Sequence, residues 1–409
     1  MNPFPLVLAE MRRNRAGCAA VIILLAIAVG LVVAVGAQER ALRTASARAA
    51  DRFDLVVGAP GSPTQLVLTT VYLQQAALEL VPASVLLALQ AEDAAGAVAP
   101  VAVTDSHRGY PLVGTTAAFA TGDGAYGPVA GRLFGSAGEA MIGAAVDLPL
   151  GERFRAAHGS AAENVLEAHE HGEEFVVVGR LAPTGTPWDR AIVVPIEAVW
   201  RMHAHPATSA GHDAIGGTAP QLGPPWVAGR AGPVPAIVVR PRTVTDAYRL
   251  RQQYRGRETM ALFPAEALNR LYAVLGDVGL LLRWMAFAFD ALLMAAIVLV
   301  IAAMLAARRD SIGVLRALGA PPLYVFATVW LHGALLVAAG AAGGLAFGAV
   351  LARALGAIAG DRLGFAVGAG IGAPELLLVA GMFVAGSLLA ALPSLAALRS
   401  PVRRLLQRG

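Results

Sequence analysis

The sequence predicts an α-helical membrane protein with four transmembrane helices and a large mixed α/β extracytoplasmic domain between helices 1 and 2. Three observations predict it. Of the 409 residues, 56% are hydrophobic and only 15% are charged, whereas soluble domains average roughly 45–50% apolar and about 25% charged residues. Four apolar stretches are each long enough to span ~30 Å of hydrocarbon, which takes about 20 helical residues. Arginine is concentrated in the short segments beside those stretches, the asymmetry that orients membrane proteins.

Taken in order, the spans are residues 16–37, 284–307, 323–358 and 374–398. The first ends in Val35-Gly36-Ala37, small residues of the kind a signal peptidase accepts, but its apolar run is longer than a signal core, so it reads as a retained anchor. Cys18 is the single cysteine. It precedes the apolar run instead of following it, so it does not form a lipoprotein cleavage box, and it reads as a small buried hydrophobe. The segments 1–15, 308–322 and 399–409 hold Arg12, Arg13, Arg15, Arg308, Arg309, Arg316, Arg399, Arg403, Arg404 and Arg408 against Glu10 and Asp310. These three segments are therefore cytoplasmic. In the short outer loop 359–373, Asp361 and Arg362 cancel. Asp290 falls roughly 27 Å from Arg308 at ~1.5 Å per residue, near the outer interface, and His332 reads as an interhelical hydrogen-bonding group. With so few ionisable groups in the spans, an ion relay is not indicated.

In the third span Gly340, Gly344 and Gly348 recur every fourth residue. That leaves one helix face almost without side chains, so a neighbouring helix can approach closely. The spacing alone leaves open whether the neighbour belongs to the same subunit or to a second copy.

The external region, 38–283, is large enough for two subdomains. Phe53–Val57 and Gln65–Thr70 read as short strands about a Gly/Pro turn, Pro82–Gln90 as a helix opened by proline, and Val101–Thr104 as a strand. Ala236–Arg240 reads as a strand and Thr245–Arg255 as a helix capped by Thr245. These flanking pieces form a split α/β subdomain. Between them the β runs Ala140–Val146, Phe175–Leu181 and Ala191–Val194 form a β-rich insert, and the Gly/Pro-rich stretch Thr208–Pro235 is a loop.

Every basic side chain counted with the acids is arginine, and lysine is absent. That excludes a Walker A phosphate lysine, a Schiff base and a kinase lysine, so any ATP hydrolysis belongs to another chain. A net charge of +4 is too small to indicate nucleic acid. Neither a His-Glu-x-x-His nor a Gly-x-Ser-x-Gly is present. Two His-x-His pairs, His169/His171 and His203/His205, could each offer two imidazoles to one Zn2+ or Cu2+ from an extended segment. The other reading is a hydrophilic loop whose histidines face water. The first reading defines an alternative function: a metal-binding, membrane-anchored receptor or metalloenzyme.

The most informative stretch is RRDSIGVLRALGA, Arg308–Ala320. Ile312, Leu315 and Leu318 fall at steps of three, giving a short amphipathic helix that ends at Gly319 before Pro321-Pro322. An apolar ridge between arginines suits docking in a groove of another protein, or lying in the headgroup layer.

This loop, the span–large domain–three-span order and the ending Pro393–Arg403 resemble the MacB/FtsX-like permease family of ABC transporters. The strings DLVVGAPGSPTQLVL and VVVGRLAPTGTPWDRAIVVPIEAVW are similar to that family's periplasmic core domain. The resemblance implies a permease in the cell inner membrane with its large domain in the periplasm, and no cofactor of its own. It also implies ATP on a separate ABC ATPase subunit, a second permease copy, and a periplasmic lipoprotein or substrate-binding protein as a further partner. It places ATPase coupling on Arg309, Asp310, Ile312, Gly313, Val314, Leu315, Arg316, Leu318 and Gly319. Ser311 stands where that family usually has an acid, and His332 where a glutamate is common.

Overall fold

The computed structural model describes residues 2–157, 170–203, 222–270, 319–363, 368 and 370–398, together with the helical positions Trp284, Ala288, Ala291 and Ala295. The rest of the expected second span and the loop 308–318 lie outside the described residues. The chain divides into two compact units: Met1–Leu42 with Gly276–Ala359 and Val367–Gly409, and Arg43–Leu275 with Gly360–Ala366.

In the first unit, α1 (Phe4–Arg13) opens on a proline at its first turn, and Asn2 Oδ1 accepts from Phe4 N at 3.0 Å. The amino-terminal tail is thus helical, with Val7 inside and Phe4 and Leu8 outside. Helix α2 (Arg15–Ala50) continues well beyond the apolar stretch that ends at Ala37. Residues 38–50, Gln-Glu-Arg-Ala-Leu-Arg-Thr-Ala-Ser-Ala-Arg-Ala-Ala, are mostly strong helix formers with no glycine or proline, so nothing stops the helix where hydropathy falls. Pro322–Leu363 and Ala373–Leu398 form the third-span and fourth-span helices. Among the described residues three helices are long and apolar enough to cross a membrane: Arg15–Ala50, Pro322–Gly360 and Ala373–Leu392.

The second unit is a ten-stranded sheet in the order β10-β1-β9-β2-β3-β8-β5-β7-β4, with β6 pairing both β2 and β7. Its strands are β1 (Leu55–Gly58), β2 (Ala97–His107), β3 (Tyr110–Thr115), β4 (Pro128–Gly131), β5 (Glu139–Ile142), β6 (Arg153–Ala157), β7 (Glu170–Leu181), β8 (Ile192–Pro195), β9 (Ala236–Arg240) and β10 (Met260–Leu262). In its first part β10, β1, β9 and the start of β2 run antiparallel to their neighbours. Helices cover both faces. Leu55 and Val57 face a core shared with Leu86, Leu89 and Leu250, from α4 (Ala83–Ala91) and the helix Val244–Gln253. Val56, between them, faces the opposite core with Leu66, Val67 and Val71 of α3 (Pro63–Tyr72). The period of two along a strand therefore explains why β1 is apolar throughout.

In the second part β2, β3, β8, β5, β7 and β6 close on themselves, because β6 pairs β7 along its length and meets β2 at Ser106↔Ala157. Leu112, Ile142, Phe154, Phe175, Ile192 and Val194 share one core in this ring, while the intervening Val113, Met141 and Val193 face the other. The flanking and inserted strands are continuous through β2, which gives its first half to β9 and its second to β3.

Two sequence expectations are corrected. Gln65–Thr70 is not a strand but part of α3. Ser62 Oγ accepts from Gln65 N at 3.3 Å and Pro63 occupies the first turn, so the Ser-Pro pair starts a helix instead of closing a hairpin. The cap of Val244–Gln253 is Thr243, not Thr245. Its Oγ1 accepts from Asp246 N at 3.1 Å and donates to Asp246 Oδ2 at 2.7 Å. Thr243→Ala is expected to cost about 1 kcal/mol, read as a lower denaturation midpoint of the full chain with an unchanged slope.

Candidate functional site

All the coupling residues expected from the sequence lie outside the described residues except Gly319. Gly319 is exposed and has φ +92°, a backbone conformation suited to a residue without Cβ. Pro321 O then accepts from Tyr324 N at 2.9 Å, and the third-span helix begins at Pro322. Residues 319–321 therefore lead directly into that helix. Asp290 lies outside the described residues, and His332 is buried in the third-span helix, 8% exposed.

The glycine ridge of that helix meets α2. A methyl group on Gly344 would stand 2.6 Å from Val29 Cβ and 3.1 Å from Ala26 O, and one on Gly348 would stand 2.7 Å from Gly30 O. On Gly340 it would collide with Leu25 Cβ. The approach is reciprocal, since a methyl on Gly30 would lie 2.5 Å from Phe347 Cδ1 and 3.0 Å from Gly344 O. The ridge thus packs inside one chain. Gly30, on the partner helix, is the member that sequence reasoning missed. Further along, Ala352 is fully buried against Ala34 and Ala37.

At the far end of these helices Glu375, in the first turn of the fourth-span helix, is only 5% exposed and faces Arg40 of α2. Arg40 Nε donates to Glu375 Oε1 at 3.2 Å and Nη2 to Oε2 at 2.7 Å, while Nη2 also donates to Gly370 O at 2.7 Å. Gly372 N donates to Glu375 Oε2 at 2.8 Å, so the same carboxylate caps its own helix. The pair is separated by 335 positions, and no local signal announces it.

Of the histidine pairs, His169 and His205 lie outside the described residues. His171 belongs to β7. His203 caps α6 (Ile196–Met202), and its Nε2 lies 3.5 Å from Oδ2 of the fully buried Asp105, which also accepts from Thr104 Oγ1 at 2.9 Å. Among the described residues no group of three or more His, Cys, Asp or Glu could hold a metal.

Where α2 enters the sheet unit, its last turns are part of the core. Ala49, Ala50 and Phe53 share a cluster with Val56, Leu66 and Val238, and Ser46 O accepts from Tyr72 Oη at 3.2 Å. Just beyond, the guanidinium carbon of Arg52 lies 5.1 Å from the ring centres of Phe119 and Trp188 and 5.8 Å from that of Tyr126. Its Nη2 donates to Phe119 O at 2.5 Å and Ala120 O at 3.2 Å. Burial pushes the Arg52 pKa down to about 10, which leaves it charged at neutral pH. On β5, the hydrogen bond from Arg132 holds the Glu139 carboxyl down at about 2.

The arrangement defines a class: a membrane protein with apolar spanning helices and a folded α/β unit. Residues 284–403 match the FtsX-like permease C-terminal family. Over that segment the chain's resemblance to the MacB/FtsX-like permeases holds. No curated protein matches the chain. Among solved structures, the extracellular domain of the noncanonic ABC-type transporter YknZ from Gram-positive bacteria aligns with 12% identity and a TM-score of 0.29. The alignment covers 51% of this chain and 98% of that one. A TM-score of this size does not establish a shared fold.

Proposed function

We propose that the chain is the permease subunit of an ABC transporter of the cell inner membrane, with its α/β unit in the periplasm as a MacB-like core domain. A separate ATPase subunit burns ATP, two permease copies assemble, and a periplasmic lipoprotein or substrate-binding protein is a further partner. The work is mechanotransmission: closure of the ATPase dimer pushes the loop Arg309–Gly319, and the bundle passes the displacement outward for export or extraction.

The observation that carries this reading is the course of α2. It is unbroken over 36 residues. Its apolar part is seated on the glycine ridge of the helix that follows the coupling loop, and its last turns are buried in the core of the sheet unit. A helix satisfies its backbone hydrogen bonds internally, which supports the reading that α2 carries displacement along its length. The chain has no lysine and so no Walker A lysine, which agrees with ATP on another chain.

The test is reconstitution of the full chain with its cognate ATPase in proteoliposomes. Leu315→Asp and Arg316→Glu should abolish the permease-dependent part of the ATPase rate while insertion, followed by protease protection, stays normal. Wild-type stimulation in both variants would refute the assignment.

A further inference from the structure

Helix α2 is joined to its two neighbours in different ways. To the third-span helix it is joined by steric interlock over about three turns. Backbone and Cβ atoms there are too close for either helix to slide without riding over the other, and packed interfaces of this kind move as one body. To the fourth-span helix it is joined at the outer end by charge, through Arg40 and Glu375, and the intervening contacts are ordinary side-chain packing around Val379, Met382 and Ala390. Nearer the cytoplasmic ends, Trp330 Nε1 of the third-span helix donates to Ser387 O of the fourth at 3.0 Å.

We propose that the Arg40–Glu375 pair is a catch: it holds the outer end of the fourth-span helix against α2 in this conformation and releases it when the bundle is driven, the helix pivoting about its Trp330–Ser387 contact. Glycines make the catch fit. The guanidinium of Arg40 lies directly over Gly372, where a methyl would stand 2.8 Å from Nη1 and displace it. Gly36, one turn before Arg40, leaves the carboxylate open space, its nearest approach to Glu375 Oε1 being 3.9 Å from a methyl position. Ion pairs desolvated in this way add little net stability but are specific in geometry, so one that is made can be exchanged for water at modest cost. Arg40 is 41% exposed, which gives water that access. The inference uses the reading above only for what drives the bundle.

The experiment needs no ATPase. In a Cys18→Ala background, spin labels are placed at Val35→Cys and Leu377→Cys, positions that are 53% and 73% exposed in the two helices. The label separation is measured in the full chain in nanodiscs. The wild-type pair should give one narrow distribution. Glu375→Gln should add a second population longer by roughly one helical turn, ~5 Å. Gly372→Ala, which keeps both charges but displaces the guanidinium, should do the same, and it answers the objection that the first variant simply misfolds. A distribution unchanged by both substitutions overturns the catch, as does a wild-type distribution already as broad as the variants'. If the longer population appears while Leu315→Asp leaves ATPase coupling intact, the catch stands and the transporter reading falls.

Discussion

Gly344→Val is expected to lower the thermal midpoint of the full chain in detergent sharply. Between membrane helices no water is expelled by contact, and association rests on close van der Waals fit. The valine would place its first carbon 2.6 Å from Val29 Cβ and add two methyl groups beyond it. Val29 is only 1% exposed and Ala26 O stands behind the site, so neither can yield without moving backbone. Overpacking of this kind costs about 1–3 kcal/mol in cores that can relax, and here the upper figure, about 3 kcal/mol, is expected. The control is a double-mutant cycle with Gly344→Ala and Val29→Ala. The alanine at 344 alone should destabilise, and cutting Val29 back should recover part of the loss, a coupling of about 1 kcal/mol or more. Purely additive effects would show that the two helices are not in contact along this row. A midpoint unchanged by Gly344→Val would show that the ridge faces lipid.

The same row shows what a sequence can disclose. Spacing by four identifies a bare helix face at Gly340, Gly344 and Gly348, because the period belongs to the helix itself. It cannot identify the occupant, since Gly30 and Val29 are far away in sequence and look like any other apolar residues. Strand β9 was legible to its exact limits, Ala236–Arg240, as a short apolar run between proline-rich turns. Strand β2 was legible only in its middle. It runs from Ala97 to His107, but Pro100 looks like a breaker and the register shift between Val103 and Asp105 interrupts the alternation. The end of α2 was misplaced because hydropathy reports the lipid and not the helix: after Ala37 the chain leaves the apolar regime while its helix propensity is undiminished. The start of α3 was misread because Ser-Pro serves as a turn and as a helix opening with equal ease. Arg40 and Glu375 were invisible for a different reason. Each is an ordinary charged residue near a span end, and only the folded bundle makes them neighbours.

Arg52 presents the reverse case, a single charge whose environment is drawn from three separate parts of the chain, and it carries the second large prediction. Arg52→Ala should cost about 2–4 kcal/mol, read as the denaturation midpoint of the full chain in micelles by tryptophan fluorescence. The loss combines a cation over aromatic faces, worth ~2 kcal/mol or more when desolvated, with a void beside Trp188, which is 2% exposed. Arg52→Met should cost less than about 1 kcal/mol. The folded value of about 10, well below that of a free guanidinium, means that the fold disfavours the charged form. The unfolded chain therefore binds the proton more tightly, so the fold gains stability only as pH rises through about 10 toward the range of a free guanidinium, and at neutral pH it bears the full burial cost of the cation. Methionine removes that cost and keeps most of the volume against Phe119 and Trp188. Phe119 O keeps a donor in that variant, because it also receives Gly122 N at 3.1 Å. The contrast between the two variants decides what the cage is for. Methionine behaving like arginine would make it a packing joint that fixes the sheet to the last turns of α2; methionine as damaging as alanine would show that the guanidinium's directed hydrogen bonds, and not its bulk, hold that joint.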